Sequence, residues 1–290
     1  MTLLQAVILA IIEGLTEFLP VSSTGHMILA SWAMQIHDSE FVKTFEIVIQ
    51  LGAILAVVAL YYRRFFVSID IYLKLLAAFL PTGILGFLFY KFIKSYLFNP
   101  WTVSTALVAG GVVLIILDRW AERRKTRYSS VEALSYGGAF LIGLIQSLSM
   151  VPGVSRAAAT IIGGVLAGFD RKQATEFSFL LAIPTMLAAS GYDLLKSYAY
   201  IQREDLFLLL TGSAVAFAVA LAAVKGFIYP GTALRFQAFW LLPYRSGIGF
   251  LSFQPSVGEG ADPLNSSLLM ESKIWCMAST CLIRECRISL

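Results

Sequence analysis

The chain is poor in charge. Asp, Glu, Lys and Arg make up only 14% of its 290 residues and apolar residues 58%, whereas an ordinary soluble domain carries roughly 25% charged residues and roughly half apolar ones. With a mean hydropathy of +0.77, a soluble globule could not hide that much apolar surface. Cysteine is scarce too: Cys276, Cys281 and Cys286 all fall near the end of the chain, at a spacing that fits neither a zinc site nor a disulfide framework. Histidine is limited to His26 and His37. A basic patch is also missing. The net charge of +4 arises from 22 Lys and Arg against 18 Asp and Glu, and the positive residues lie between apolar runs, which argues against a nucleic-acid partner. Met1 to Ile12 is apolar but has no basic flank, and Glu13 interrupts it before any cleavage site, so it does not read as a signal peptide.

What the chain has in quantity is long apolar runs. A hydrocarbon core of roughly 30 Å takes about 20 helical residues to cross. Six stretches qualify: Phe45 to Tyr62, Ile71 to Ile93, Trp101 to Leu117, Phe177 to Leu195, Leu206 to Ile228 and Phe236 to Phe253, the last interrupted by Pro243 and Arg245. Two further apolar regions are broken in the middle. Leu3 to Ile36 is broken around Pro20-Val21-Ser22-Ser23-Thr24-Gly25, and Leu134 to Phe169 around Pro152-Gly153-Val154-Ser155-Arg156. Paired interruptions of this kind mark an inverted repeat with its site near the midplane. Ser22 and Ser155 correspond across the halves, as do Glu46 and Glu176. The expected fold is therefore an all-α integral membrane protein with six transmembrane helices and two re-entrant helical hairpins. Residues 1–253 form one membrane domain, with repeats over about 1–117 and 132–253, and 254–290 is a polar tail foreign to that body. Gly110-Gly111, Gly163-Gly164 and Gly83 with Gly86 are expected to let helix backbones approach closely.

The positive-inside rule orients the chain. Arg63, Arg64, Lys74, Arg119, Arg123, Arg124, Lys125 and Arg127 share one side with Arg171, Lys172, Lys225 and Arg235, which makes that side cytoplasmic; the other side carries Lys43, Lys91, Lys94, Lys196 and Arg203. The first broken hairpin then opens to the outside and the second to the inside.

Two constellations can carry chemistry. In the first, Glu13 and Glu17 are four apart on one helix face at membrane depth, where two carboxylates repel unless a divalent cation, a shared proton or an arginine lies between them. Pro20 ends that helix. Ser22, Ser23 and Thr24 can cap the next, whose free N–H groups and positive dipole end form an anion site. His26 lies in its first turn, so Ser23 and His26 pair a nucleophile with a base, in either order. His37, in a polar loop, reads as structural, and Glu46 or Glu176 alone can be structural hydrogen-bonding residues. In the second constellation Arg156 stands in a run without other charges; its planar guanidinium can grip phosphate bidentately or pair with Glu13, Glu17 or Glu46, and the two roles are compatible. Two helix N-termini and an arginine facing one another would suit a diphosphate.

Residues 13 to 26, Glu-Gly-Leu-Thr-Glu-Phe-Leu-Pro-Val-Ser-Ser-Thr-Gly-His, together with Pro-Gly-Val-Ser-Arg at 152 to 156 and Glu-Phe-Ser-Phe-Leu-Leu-Ala-Ile-Pro at 176 to 184, resemble the bacterial undecaprenyl-diphosphate phosphatase family of the bacitracin-resistance type. The resemblance covers roughly residues 1 to 250. It implies a multi-pass enzyme of the bacterial inner membrane that hydrolyses undecaprenyl diphosphate to undecaprenyl phosphate and recycles the lipid carrier for peptidoglycan synthesis, with a divalent cation such as Mg or Ca. Carried onto this chain, Glu13 and Glu17 match the acidic pair and metal ligands, Ser23 and His26 the nucleophile and base, and Arg156 the phosphate-binding arginine. The expected substrate-binding set is Ser22, Thr24, Gly25, Gly153, Ser155 and Thr160. Expected partners are the polyprenyl diphosphate lipid, membrane lipids and a second copy of the chain. The chain departs from the family pattern at Ala157-Ala158, where Ser-Gly is commoner, and in the tail, which has no counterpart there. The rival function is a polyprenyl-phosphate carrier or flippase, because broken helices in inverted repeats are a transporter architecture; a carrier, however, needs no nucleophile.

Overall fold

Helix α1 (Leu3–Thr16) is started by a capping box, in which the Thr2 hydroxyl accepts from the Gln5 N–H and the Gln5 side chain accepts from the Thr2 N–H at 2.8 Å. The computed structural model describes residues 1–66, 68–97, 100–121, 126–128, 130–197 and 201–228. Among them the chain is helical apart from short connections and one isolated bridge between Tyr128 and Phe169. After α1 come α2 (Ser23–Ala33), α3 (Glu40–Tyr61), α4 (Ile69–Tyr96) and α5 (Pro100–Ala121), then α6 (Tyr136–Gln146), α7 (Arg156–Ala167), α8 (Arg171–Ser197) and α9 (Leu206–Ile228).

Lengths divide these helices into two kinds. Glu40–Arg64, Ile69–Ile93, Arg171–Lys196 and Arg203–Gly226 are long and apolar enough to cross a membrane. At 1.5 Å per residue the 14 residues of α1, the 11 of α2 and α6 and the 12 of α7 fall well short of a hydrocarbon core. Each predicted break lies between two of these short helices. Four predicted spans coincide with the long apolar helices α3, α4, α8 and α9; Trp101 to Leu117 falls on α5, whose apolar stretch Trp101–Ile116 is among the shorter ones, and Phe236 to Phe253 and the tail lie outside the described residues. Helices α6 and α7 begin at Tyr136 and Arg156, and α1 and α2 at Leu3 and Ser23, so the two short pairs keep the same spacing. Packing follows the same correspondence: α9 lies along α1 and α3, and α4 lies along α6 and α8.

Close approach does not occur where all the glycine pairs suggested. A Cβ on Gly164 would lie 2.8 Å from Ala174 Cβ, but one on Gly110 would meet nothing within 4 Å, and one on Gly83 would touch only the ring of Phe79 in its own helix. A small-residue pair shows that a helix could be approached and says nothing about what faces it. Tight seams lie elsewhere: α6 against α4, where a Cβ on Gly143 would overlap the Ala78 carbonyl oxygen, and α9 against α1 and α3, where one on Gly14 would lie 2.8 Å from the Ala216 carbonyl oxygen and one on Gly52 would lie 2.6 Å from that of Ser213.

The core positions the broken segments. Phe18, 2% exposed, packs edge-on against Phe179 of α8 at 5.6 Å, which pins the end of α1 under α8. Leu9, Phe45 and Ile49 fill the space between α1, α3 and α9. Polar ties close the helix ends: Arg64 bridges Glu176 at 2.7 Å and Glu132 at 3.3 Å, and Tyr90 donates to Asp193 at 2.5 Å where α4 and α8 finish. Midway, Gln146 is fully buried and donates to Thr82 at 3.0 Å and Thr185 at 3.3 Å.

Candidate active site

The broken segments meet. Gly25 at the start of α2 faces Gly153 so closely that a Cβ there would lie 3.4 Å from Gly153 Cα. Gly153 has φ +96, and a Cβ on it would lie 2.6 Å from the Val103 carbonyl oxygen, so both backbone and space require glycine there. Ser22 also lies in the left-handed region, at φ 64, a conformation that costs a non-glycine residue of order 1–3 kcal/mol. That turn reverses the chain after α1 and points α2 in a new direction. The Ser22 hydroxyl then caps α2 by accepting from the Gly25 N–H at 3.3 Å, and the Ser155 hydroxyl caps α7 by accepting from the Ala158 N–H at 3.2 Å.

Around this meeting point the side chains form a connected array. Glu17, at the end of α1, is nearly fully buried and bonds on both sides. One carboxylate oxygen accepts from Arg156 Nη2 at 2.9 Å, and the other accepts the Ser23 hydroxyl in a very short contact. Of the internal pairings open to Arg156, the structure makes the one to Glu17. Arg156 Nη1 also donates to the Ser178 carbonyl at 3.4 Å, and Nε is buried with no acceptor among the described residues. An unmatched buried N–H costs free energy, and a phosphate oxygen could satisfy it.

The base expected beside Ser23 is turned elsewhere. His26 Nδ1 lies 2.8 Å from the Ser22 carbonyl; a carbonyl only accepts, so this nitrogen carries the proton and the basic lone pair of the neutral ring is on Nε2. The hydroxyl of Ser23 has one hydrogen, and it points at Glu17. Thr160 is fully buried, with its hydroxyl donating into its own helix and meeting Ser178 Oγ at 2.6 Å, so it ties α7 to α8. Ala157 and Ala158 are buried too, Ala158 within the core. Thr24, in the first turn of α2, is partly exposed. Ser178 was not singled out from the sequence, and a hydroxyl between two phenylalanines of an apolar helix was the signal that could have found it.

Glu13 is fully buried, and neither of its carboxylate oxygens has a hydrogen-bond partner among the described residues. It faces two further acids, Glu17 within hydrogen-bonding reach and Glu46 within electrostatic reach, together with Arg156. Two ionised carboxylates cannot bond each other, so a proton or a cation has to come between them. Oxygen donors alone suit a hard cation such as Mg or Ca. Among the described residues no three His, Cys, Asp or Glu side chains converge as metal ligands. Glu13 and Glu17 supply two such oxygen donors, and these residues fit a hard cation of that kind.

The chain matches the family described as bacitracin resistance protein BacA over residues 6–251. It belongs to that family. It is 50% identical to an undecaprenyl-diphosphatase of Wolinella succinogenes over 253 residues, covering 87% of this chain and 98% of the relative. An undecaprenyl-diphosphatase of Persephonella marina is 48% identical over 251 residues, covering 87% and 98%. One of Campylobacter jejuni is 47% identical over 251 residues, covering 86% and 93%. The BacA match takes in both broken segments, and the residues beyond 251 lie outside it.

Proposed function

We propose that this chain is an undecaprenyl-diphosphate phosphatase, hydrolysing undecaprenyl diphosphate to undecaprenyl phosphate and inorganic phosphate, and that Ser23 is its nucleophile. One observation carries this reading: Ser23, Glu17 and Arg156 form a bonded array where two capped helix N-termini meet. As Ser23 Oγ attacks the terminal phosphorus, its proton passes to Glu17, and the anhydride bond breaks to leave undecaprenyl phosphate. Arg156 stays paired with Glu17 and offers Nε to the phosphate, countering the charge that builds up. The free N–H groups at the starts of α2 and α7 hold the remaining oxygens. In the second step His26 Nε2 takes a proton from water as the water attacks the phosphoseryl group; the bond from phosphorus to Ser23 Oγ breaks, Glu17 returns its proton to that oxygen, and inorganic phosphate leaves, with the proton on His26 passing to solvent. Glu13 and Glu17 would hold a divalent cation, which lowers the repulsion between phosphate and carboxylates. A carrier would leave the contact between Ser23 and Glu17 without a task.

The matching spacing of α1–α2 and α6–α7 supports two inverted repeats, each a re-entrant hairpin followed by spans, within one membrane domain over residues 1–253. The arginine-rich side is then cytoplasmic, the enzyme resides in the bacterial inner membrane, and the diphosphate enters from the outer face. Purified protein given undecaprenyl diphosphate should release inorganic phosphate, and Ser23→Ala should lose nearly all of that turnover. Wild-type release by Ser23→Ala would move the nucleophile to His26, and no release by the native chain would sink the hydrolase reading.

A further inference from the structure

Glu46 lies on α3, outside both broken segments. Its Oε1 is buried with no hydrogen-bond partner among the described residues, and its carboxyl group is associated with Ser31 of α2. The corresponding acid of the second half, Glu176, is paired with Arg64 at 2.7 Å. No such pairing is made by Glu46 among the described residues. Lys43, one turn earlier on α3, acts on Glu46 through space but bonds Glu40 at 2.7 Å. The acid is thus ion-paired in one half and has no bonded cation among the described residues in the half that carries Ser23.

The charge around Glu13 does not balance. Glu13, Glu17 and Glu46 bring three carboxylates, and Arg156 is the guanidinium bonded to them, through Glu17. With all three ionised, two negative charges would remain, which one divalent ion offsets in full and a single shared proton only by half. Burying unpaired carboxylates is costly unless they are paired or coordinate a metal. The oxygens with no hydrogen-bond partner are both of Glu13 and Oε1 of Glu46, whereas each oxygen of Glu17 accepts one hydrogen bond.

We propose that Glu46 is a positioning residue for the site's divalent cation, setting the affinity with which Glu13 holds the ion. The proposal rests on the phosphatase reading with its cation. Glu46 contributes a fixed negative charge from outside the ligand set, in keeping with the absence of a three-ligand cluster among the described residues. Loss of such a supporting group typically lowers metal affinity about 10- to 100-fold.

The test titrates purified, substrate-free protein in detergent with Mn²⁺ and follows the free ion by its paramagnetic resonance signal. Wild type should show one saturable site, Glu46→Gln should bind at least about 10-fold more weakly, and Glu46→Asp, which keeps the charge, should recover most of the affinity. Glu176→Gln, at the paired counterpart, should bind Mn²⁺ as wild type does. In turnover, Glu46→Gln should need more metal while approaching wild-type kcat at saturation. Mn²⁺ affinity unchanged in Glu46→Gln, or no saturable binding in wild type, would overturn the proposal, as would equal losses in Glu46→Asp and Glu46→Gln. Phosphate release by the same wild-type preparation reports separately on the phosphatase reading.

Discussion

At the scale of single residues, the Arg156 guanidinium divides its donors: Nη2 holds Glu17 at 2.9 Å, and Nε, which has no acceptor among the described residues, is the donor the proposed mechanism turns toward phosphate. Lysine keeps the charge but cannot span both positions, because its ammonium is a point charge on a flexible stem. Arg156→Lys should therefore fold and lose about 10²- to 10³-fold in turnover, the usual cost of one electrostatic stabiliser. Turnover and melting temperature measured side by side check this, and unchanged turnover with a lowered Tm would reduce Arg156 to a structural ion pair. The array around it was partly legible in the sequence. Glu13, Glu17, Ser23, His26 and Arg156 all stand out as polar groups in apolar surroundings, and all lie at or beside the meeting of the broken segments. The partner of Ser23 was not legible. Helical spacing points from Ser23 to His26, but the left-handed turn at Ser22 swings the start of α2 back toward α1, so the hydroxyl reaches Glu17, six residues away across the break.

At the scale of helices, the seam of α9 against α1 and α3 carries both halves of the chain. A Cβ on Gly52 would lie 2.6 Å from the Ser213 carbonyl oxygen and 2.9 Å from its Cα, so the backbone of α9 itself would have to move. Gly52→Val should cost about 1–3 kcal/mol through overpacking, or roughly 2–4 °C of Tm per kcal/mol, while Gly110→Ala, with open space around it, should leave Tm unchanged or raise it. Thermal unfolding of both variants in one detergent decides the matter. The contrast also shows where the sequence runs out. Apolar runs and their Pro, Gly and Ser breaks locate α1 to α9 because helix length and interruption are local properties. Which helices interlock depends on residues more than a hundred positions apart, and Gly52 looks no different in sequence from Gly110.

At the scale of the whole molecule, the candidate site residues Glu13, Glu17, Ser23, His26 and Arg156 lie within the first 160 residues, and α9 packs against α1 and α8 against α7. The BacA match ends at residue 251, and the polar tail from Gln254 to Leu290 contains none of the array. Deleting that tail should leave specific activity intact, and a truncated protein that inserts normally but no longer hydrolyses the lipid would contradict the single-domain reading. The central claim is that the terminal phosphoryl group passes through Ser23. Its most direct test is a single turnover with undecaprenyl diphosphate labelled in the terminal phosphate, acid-quenched on the millisecond scale and followed by peptide mass spectrometry. The account predicts labelled phosphoserine at position 23, accumulating most when His26 is changed to Ala; label on His26, or full release of phosphate with none ever attached to the protein, would contradict it.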